Sequence, residues 1–276
     1  MAAKLPEPII LIAKRSGDVR IHTFISAFTD SNIANATHII ESKNSLVLID
    51  GQFLATYARK FRAYADSLDK PIDRLYVSHR HPDHWFGLGT AFDDVEIYAL
   101  EETATFINAN GKAMVEDHAA KLGDENPKKI VPLLNFVTLE PETIDGVTYI
   151  YEKIVDTEID YLLAIGIPEL GVYIPQDLIY SGTHLYLTTE MGPWLLALGR
   201  MLASNYELFM PGHGLPADKA EVGRNAEYLA AAKVAFDNGL KGDDFKTFLL
   251  QRYPARLCPG IFDIYLPRLF GGARQF

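Results

Sequence analysis

After a run at residues 72–77 that reads as a strand, the chain reads Ser78-His79-Arg80-His81-Pro82-Asp83-His84-Trp85-Phe86-Gly87, with three of its eight histidines in six positions. Imidazoles and a carboxylate converging on one turn make a donor set for a divalent transition metal. Such a turn holds its geometry only if a rigid element delivers it. The end of a buried strand in an α/β sheet is where loops of this kind are built.

The rest of the chain supplies the sheet. Runs at 8–13, 19–24, 37–42 and 45–50 read as strands, the last two separated only by Lys43-Asn44, which suits a hairpin. Leu54, Tyr57, Ala58, Phe61, Tyr64, Ala65 and Leu68 then recur at helical spacing, and Pro71 ends that helix before the strand at 72–77. A second series follows. Strands are expected at 95–100, 147–154, 161–165, 171–174 and 206–210, with helices at 102–122, 193–203 and 217–238, the last closed by Gly239. Two groups of strands flanked by helices, with no repeat and no linker, predict one layered domain over 1–276.

Composition narrows the function classes. Hydrophobic residues at 48% and charged residues at 22% are ordinary for a globular protein and exclude disordered and fibrous classes. A net charge of −10 disfavours general nucleic-acid binding. The lone Cys258 cannot form an internal disulfide, and the apolar run at 9–13 is too short for a signal-peptide core or a membrane span. The expectation is a soluble, cytoplasmic protein with no membrane and no nucleic-acid partner.

The His-x-His-x-Asp-His turn after a strand resembles the signature of the metallo-β-lactamase fold superfamily. Residues 45–51 (SLVLIDG) resemble that family's early strand, which ends in an aspartate supporting the metal loop. Gln176-Asp177-Leu178-Ile179-Tyr180-Ser181-Gly182 resembles the strand end that delivers a bridging aspartate, and Pro211-Gly212-His213-Gly214 the last ligand motif. The resemblance implies an α/β fold, an αββα sandwich of two mixed β-sheets flanked by helices. It also implies two divalent metal ions at one edge, with zinc expected and manganese or iron as alternatives. His79, His81, Asp83, His84, Asp177 and His213 are the ligands it carries over.

One position departs from the pattern. The family places a further histidine, often as Gly-His-Thr, about twenty residues before the bridging aspartate, and no histidine lies between His118 and His184. Counting back from Asp177 reaches Asp156, followed by a matching Thr157, so Asp156 is the candidate replacement ligand, with Glu158 and Asp160 behind it. A third carboxylate in place of an imidazole lowers the formal charge of the metal centre and weakens its Lewis acidity. It also favours harder ions such as Mn²⁺ or Fe²⁺ more than an imidazole would.

The resemblance implies a metal-dependent hydrolase in which a metal-bridging hydroxide attacks a small ester, lactone, thioester or amide-type substrate, with phosphoesters also in the family's range. The alternatives are a mono-iron sulfur dioxygenase-like enzyme and a metal-poor binding protein. Asp83 and His184 are the catalytic candidates; His184 either contacts substrate or metal or packs in the fold. His22, His38 and His118 read as structural or solvent-exposed, and Trp85 as packing beneath the metal loop. Residues 241–276 hold six basic residues (Lys241, Lys246, Arg252, Arg256, Arg268 and Arg274) against three acidic ones, with aromatics interleaved. This segment is expected to form a helical, aromatic cover over the metal edge. Its basic surplus would pair either with an anionic substrate or with the acidic remainder of the fold.

Overall fold

The computed structural model describes residues 5–26 and 33–271, so Arg274 lies outside the described residues. Period-two alternation sends neighbouring apolar residues to opposite faces of each sheet. In β3 (Ala36–Glu41) and β4 (Leu46–Ile49), Ile39, Leu46 and Leu48 enter one core cluster, while Ile40, Val47 and Ile49 enter another. Residues buried on both faces require a layer on either side, and the chain provides both.

The first sheet has seven strands in sequence order. β1 (Ile9–Ser16), β2 (Val19–Ile25), β3 and β4 run antiparallel. β5 (Ile72–Val77), β6 (Ile97–Ala99) and β7 (Asn135–Phe136) then add parallel strands. Helix α1 (Ala55–Asp66) crosses from β4 to β5; the short α2 (Pro82–Trp85) and α3 (Leu88–Ala91) follow β5, and α4 (Glu101–Leu122) follows β6. Tyr57, Phe61, Trp85, Phe86 and Ile107 from these helices cover the outer face.

The second sheet has five strands. β8 (Glu142–Ile144), β9 (Val147–Val155), β10 (Tyr161–Ile167) and β11 (Val172–Ser181) are antiparallel neighbours, and β12 (Leu208–Gly214) joins β11 in parallel. Its outer face is covered by α5 (Met191–Ala203), α6 (Lys219–Asp237), α7 (Gly242–Arg252) and α8 (Ile261–Gly271), through Trp194, Leu198, Tyr228, Phe245 and Phe262. Between the sheets, Ile40, Val47 and Tyr76 meet Tyr149, Leu163, Ile165 and Ile174. The architecture is the expected αββα sandwich of two mixed sheets.

Two strands run further than their apolar pattern. The expected run at 171–174 continues as β11 to Ser181, and that at 206–210 shifts to Leu208–Gly214. The pairing between them breaks register twice, around Gln176, whose φ is +45°. This irregular stretch carries Asp177 and His213, as bulged strand ends beside functional sites commonly do. Among the described residues, no helix is long and apolar enough to cross a membrane.

Candidate metal centre

The loop leaving β5 is anchored before it reaches its histidines. Leu163 of β10 donates its backbone N–H to the Ser78 carbonyl at 2.8 Å, tying the loop to the second sheet. Pro82 then starts α2, where its fixed φ is favourable and its missing N–H costs nothing. Asp83 and His84 consequently sit on one helical turn, while His79 and His81 precede it in extended chain.

Seven buried side chains converge here. His79, His81, Glu158 and Asp177 form one group, and Asp83, His84 and His213 a second, with the donor atoms of each group within 4.8 Å of one another. His79 Nε2 lies 3.2 Å from His81 Nδ1 and 3.4 Å from Asp177 Oδ2, and His81 Nδ1 is 3.1 Å from Glu158 Oε1. Asp177 Oδ2 also lies 3.3 Å from His84 Nε2 and 3.1 Å from His213 Nε2, so it stands between the groups. Two donors bound tetrahedrally to one zinc at about 2.1 Å are themselves about 3.4 Å apart. The observed spacings match that value. Glu158 Oε2, Asp177 Oδ1 and His84 Nε2 are buried with no hydrogen-bond partner among the described residues, a condition that an ion would relieve. The two groups fit a dinuclear metal site.

Neighbouring groups orient the donors, as outer partners do at metal sites. Asp50 accepts from Ser78 N at 2.7 Å and from Ser78 Oγ at 2.8 Å, and its Oδ2 holds His84 Nδ1 at 2.7 Å. Gln176 Nε2 donates to the same carboxylate. Both Asp50 (φ +63°) and Gln176 (φ +45°) adopt the left-handed region, a strain concentrated at the site. Ser78 Oγ contacts His79 Nδ1 at 2.9 Å, and His213 Nδ1 donates to the Ile33 carbonyl at 2.7 Å. Gly212 leaves the room Asp177 needs: a Cβ there would stand 1.8 Å from Asp177 Oδ1.

The electrostatics are divided. Burial pushes His79 and His81 down, His81 to about 4. Burial also opposes charge on His84, but the Asp177, Asp83 and Asp50 carboxylates outweigh it and raise that imidazole well above its ordinary value. Desolvation would raise Asp177, yet His84, His213 and His79 hold it well below the usual carboxylate range. Glu158 goes the other way: burial and the Asp177 charge push it up to about 8. Adding cations between these groups favours the deprotonated form of every donor.

Asp156 is not brought into either group. It is exposed, with φ +52°, and its N–H bonds the Asp160 carbonyl at 3.1 Å across the β9–β10 hairpin. Thr157 N bonds Ile159 O at 3.2 Å, and this tight turn swings the next side chain inward, so that Glu158 is the carboxylate facing His81. Asp160 points outward to Arg80. His184 is also placed away from the donors. Gly182 (φ +74°) turns the chain after β11, and His184 Nδ1 lies 3.0 Å from Tyr228 OH, its ring against Phe262. Trp85 is buried, with Nε1 bonded to the Arg80 carbonyl at 3.0 Å. His22 and His38 are buried and hydrogen-bonded. Two residues gain importance that their sequence context did not signal. His118 lines the cavity above the donors, and Tyr180 stacks on His213 with its OH 3.5 Å from both Glu158 and Asp177.

That cavity, open mouth included, encloses about 720 Å³ and reaches Asp83, Asp177, Glu158 and His213. Its walls include Phe53, Met114, Ile261 and Ile264, so α8 forms one side of it. Neither a family model nor a curated protein matches the sequence. Solved structures do. A metallo-β-lactamase from Pontibacter korlensis aligns with a TM-score of 0.59 at 18% identity, over 80% of this chain and 99% of its own. The mono-zinc form of FIM-1 from Pseudomonas aeruginosa gives 0.59 at 17%, over 83% and 99%. A double mutant of the sec-alkyl sulfatase PisA1 gives 0.60 at 17%, over 95% of this chain and 52% of its own. With two mixed sheets, helices on both outer faces and these donors at one edge, the chain has the metallo-β-lactamase fold.

Proposed function

We propose that the protein is a metal-dependent hydrolase acting on a small ester, lactone, thioester or amide-type substrate. In this reading His79, His81, Glu158 and Asp177 hold one divalent cation. Asp83, His84 and His213 hold a second, with Asp177 shared. Zinc is the leading ion, and the extra carboxylate keeps manganese and iron as alternatives. The observation that carries the reading is the convergence of seven buried donors at tetrahedral spacing, three of them with an atom that has no hydrogen-bond partner among the described residues.

Divalent cations in these positions would polarise the scissile group and lower the pKa of water, supplying a nucleophile at neutral pH. The chain's own residues do the rest. Phe53, Met114, Ile261 and Ile264 would set apolar surface beside the reacting group, and charge interactions there strengthen as a bound substrate displaces water. Asp83 lines the cavity and lies 3.5 Å from both His84 and His213, which supports a reading in which its carboxylate accepts a proton during turnover.

A second reading is sulfate-ester hydrolysis. The sec-alkyl sulfatase aligns with 95% of this chain, against 80% and 83% for the two lactamases, so its likeness extends further along the sequence. Metal analysis of the purified protein followed by a panel of carboxylic, lactone, β-lactam and sulfate esters tests both. Two metals per chain and turnover abolished in Asp177→Asn support hydrolysis. One iron per chain with oxygen consumption favours a dioxygenase, and no metal after supplementation favours a binding protein.

A further inference from the structure

Part of the basic surplus of the C-terminal segment is taken up within the fold. Lys246 pairs with Asp263 at 2.6 Å. Arg256 is mostly buried, donating to the Thr183 and Tyr180 carbonyls and approaching Glu221 at 3.4 Å. Arg252 lies over the Tyr253 ring. Arg268 differs from these. It lines the cavity from α8, is only half-buried, and among the described residues has no carboxylate partner. Its one hydrogen bond to a side chain runs from Nη1 to Tyr186 OH at 2.8 Å.

A guanidinium has five N–H donors, and a neutral hydroxyl engages one of them. The Tyr186 oxygen accepts from Arg268, so its own hydrogen stays available to donate. The Tyr186 ring lies 5.3 Å from the His81 ring, which puts the Arg268–Tyr186 pair about one tyrosine's length from the metal donors. Apolar side chains, Ile261 and Ile264 on α8 and Met114 on α4, share the same cavity.

Resting on the hydrolase reading, we infer that Arg268, with Tyr186, is a specificity-determining residue for substrates that carry a carboxylate at the end remote from the scissile bond, joined by an apolar spacer. Planar carboxylates match the guanidinium fork, and the charge-assisted bonds are about twice as strong as neutral ones. The apolar walls accept the spacer, while the anion reaches Arg268, a half-buried wall cation with no acidic partner among the described residues. Lys121 also lines the cavity, but it is exposed on α4 and its charge is screened by solvent.

The test uses the metal-loaded, full-length protein and two p-nitrophenyl esters of equal chain length, the hexanoate and the mono-adipate. The wild type is expected to favour the carboxylate-tailed ester by about tenfold or more in kcat/KM, mostly through KM. In Arg268→Gln that ratio should fall toward one, and Arg268→Lys should restore part of it. A ratio that is unchanged in Arg268→Gln overturns the assignment. If neither ester is cleaved, the carboxylic-ester form of the hydrolase reading fails by itself. Calorimetric titration of monomethyl adipate against dimethyl adipate then reads the same preference without turnover: its loss in Arg268→Gln supports the inference, and its persistence overturns it.

Discussion

Arg80 Nη2 donates to Asp160 Oδ2 across 2.9 Å, joining the residue between two metal-facing histidines to the hairpin turn that presents Glu158. The guanidinium carbon also lies 4.4 Å from the centre of the Phe106 ring, which fixes its approach. A carboxylate that resembled a ligand in the sequence is thus a strut between two ligand-bearing loops.

Because Asp160 is 59% exposed, the pair contributes less than about 1 kcal/mol to stability. Its effect on the turn is larger. Asp160→Ala should leave the melting temperature nearly unchanged and weaken one of the two metals by roughly tenfold, as loss of an outer partner commonly does. Competition with a chromophoric chelator measures this, and two unaltered metal affinities would refute the strut.

Glu158 and Asp156 make opposite predictions. Glu158→Gln should drop metal content from two per chain toward one, since an amide is a poorer ligand. Asp156→Gly should keep both metals and stabilise the fold by up to about 1 kcal/mol, because glycine relieves its positive φ. Metal stoichiometry by mass spectrometry separates them, and loss of a metal in Asp156→Gly would return Asp156 to the ligand set.

Gly212→Ala should disrupt the centre through a single methyl group. The new Cβ meets Asp177 Oδ1 at 1.8 Å and His84 Cε1 at 3.2 Å, so the shared carboxylate must move. We expect metal affinity to fall by about a hundredfold with far-UV circular dichroism unchanged. Gly223→Ala in α6, whose Cβ would meet nothing within 4 Å, is the control, and it should stabilise the protein by about 0.5–1 kcal/mol. Equal metal binding in the two variants would contradict the packing argument.

His38 sets part of the acid limit of stability. Its Nε2 lies 3.0 Å from the Pro211 carbonyl, its Nδ1 faces Thr23 Oγ1 at 3.2 Å, and burial pushes the imidazole down to about 4. The folded value is below the unfolded value of about 6.5, so protonation favours the unfolded chain. The contribution is complete above pH 6.5 and is lost as pH falls toward 4, at most about 3 kcal/mol. Urea midpoints between pH 7 and 4 should therefore fall less steeply for His38→Gln than for the wild type. Parallel slopes would rule His38 out.

The layered fold was legible because alternation and helical periodicity survive in single elements, as the neighbours Ile39 and Ile40 illustrate. His79, His81, Asp83 and His84 were legible because adjacent residues share one rigid turn. The remaining positions depended on local backbone that spacing does not encode. Counting from Asp177 to Asp156 assumes an extended chain, whereas the hairpin turn at 156–160 exposes that aspartate and buries Glu158 two residues later. Between the two roles left open for His184, spacing could not choose; the reversal at Gly182 sets its ring against Phe262 and Tyr228. Arg268 carried no signal among six basic residues until the ion pairs of its neighbours were known.

Neither sheet owns a complete donor group. His79 and His81 follow β5 of the first sheet, while Glu158 and Asp177 belong to the second; Asp83 and His84 likewise face His213 across the seam. Any ion bound there adheres to both halves at once, so its binding energy acts as glue between layers otherwise joined by apolar contact. Chelation should then loosen the sandwich first along this edge, where amide exchange in β11 and β12 would quicken before that in β2 and β3. The centre that would cleave substrate also serves as a rivet.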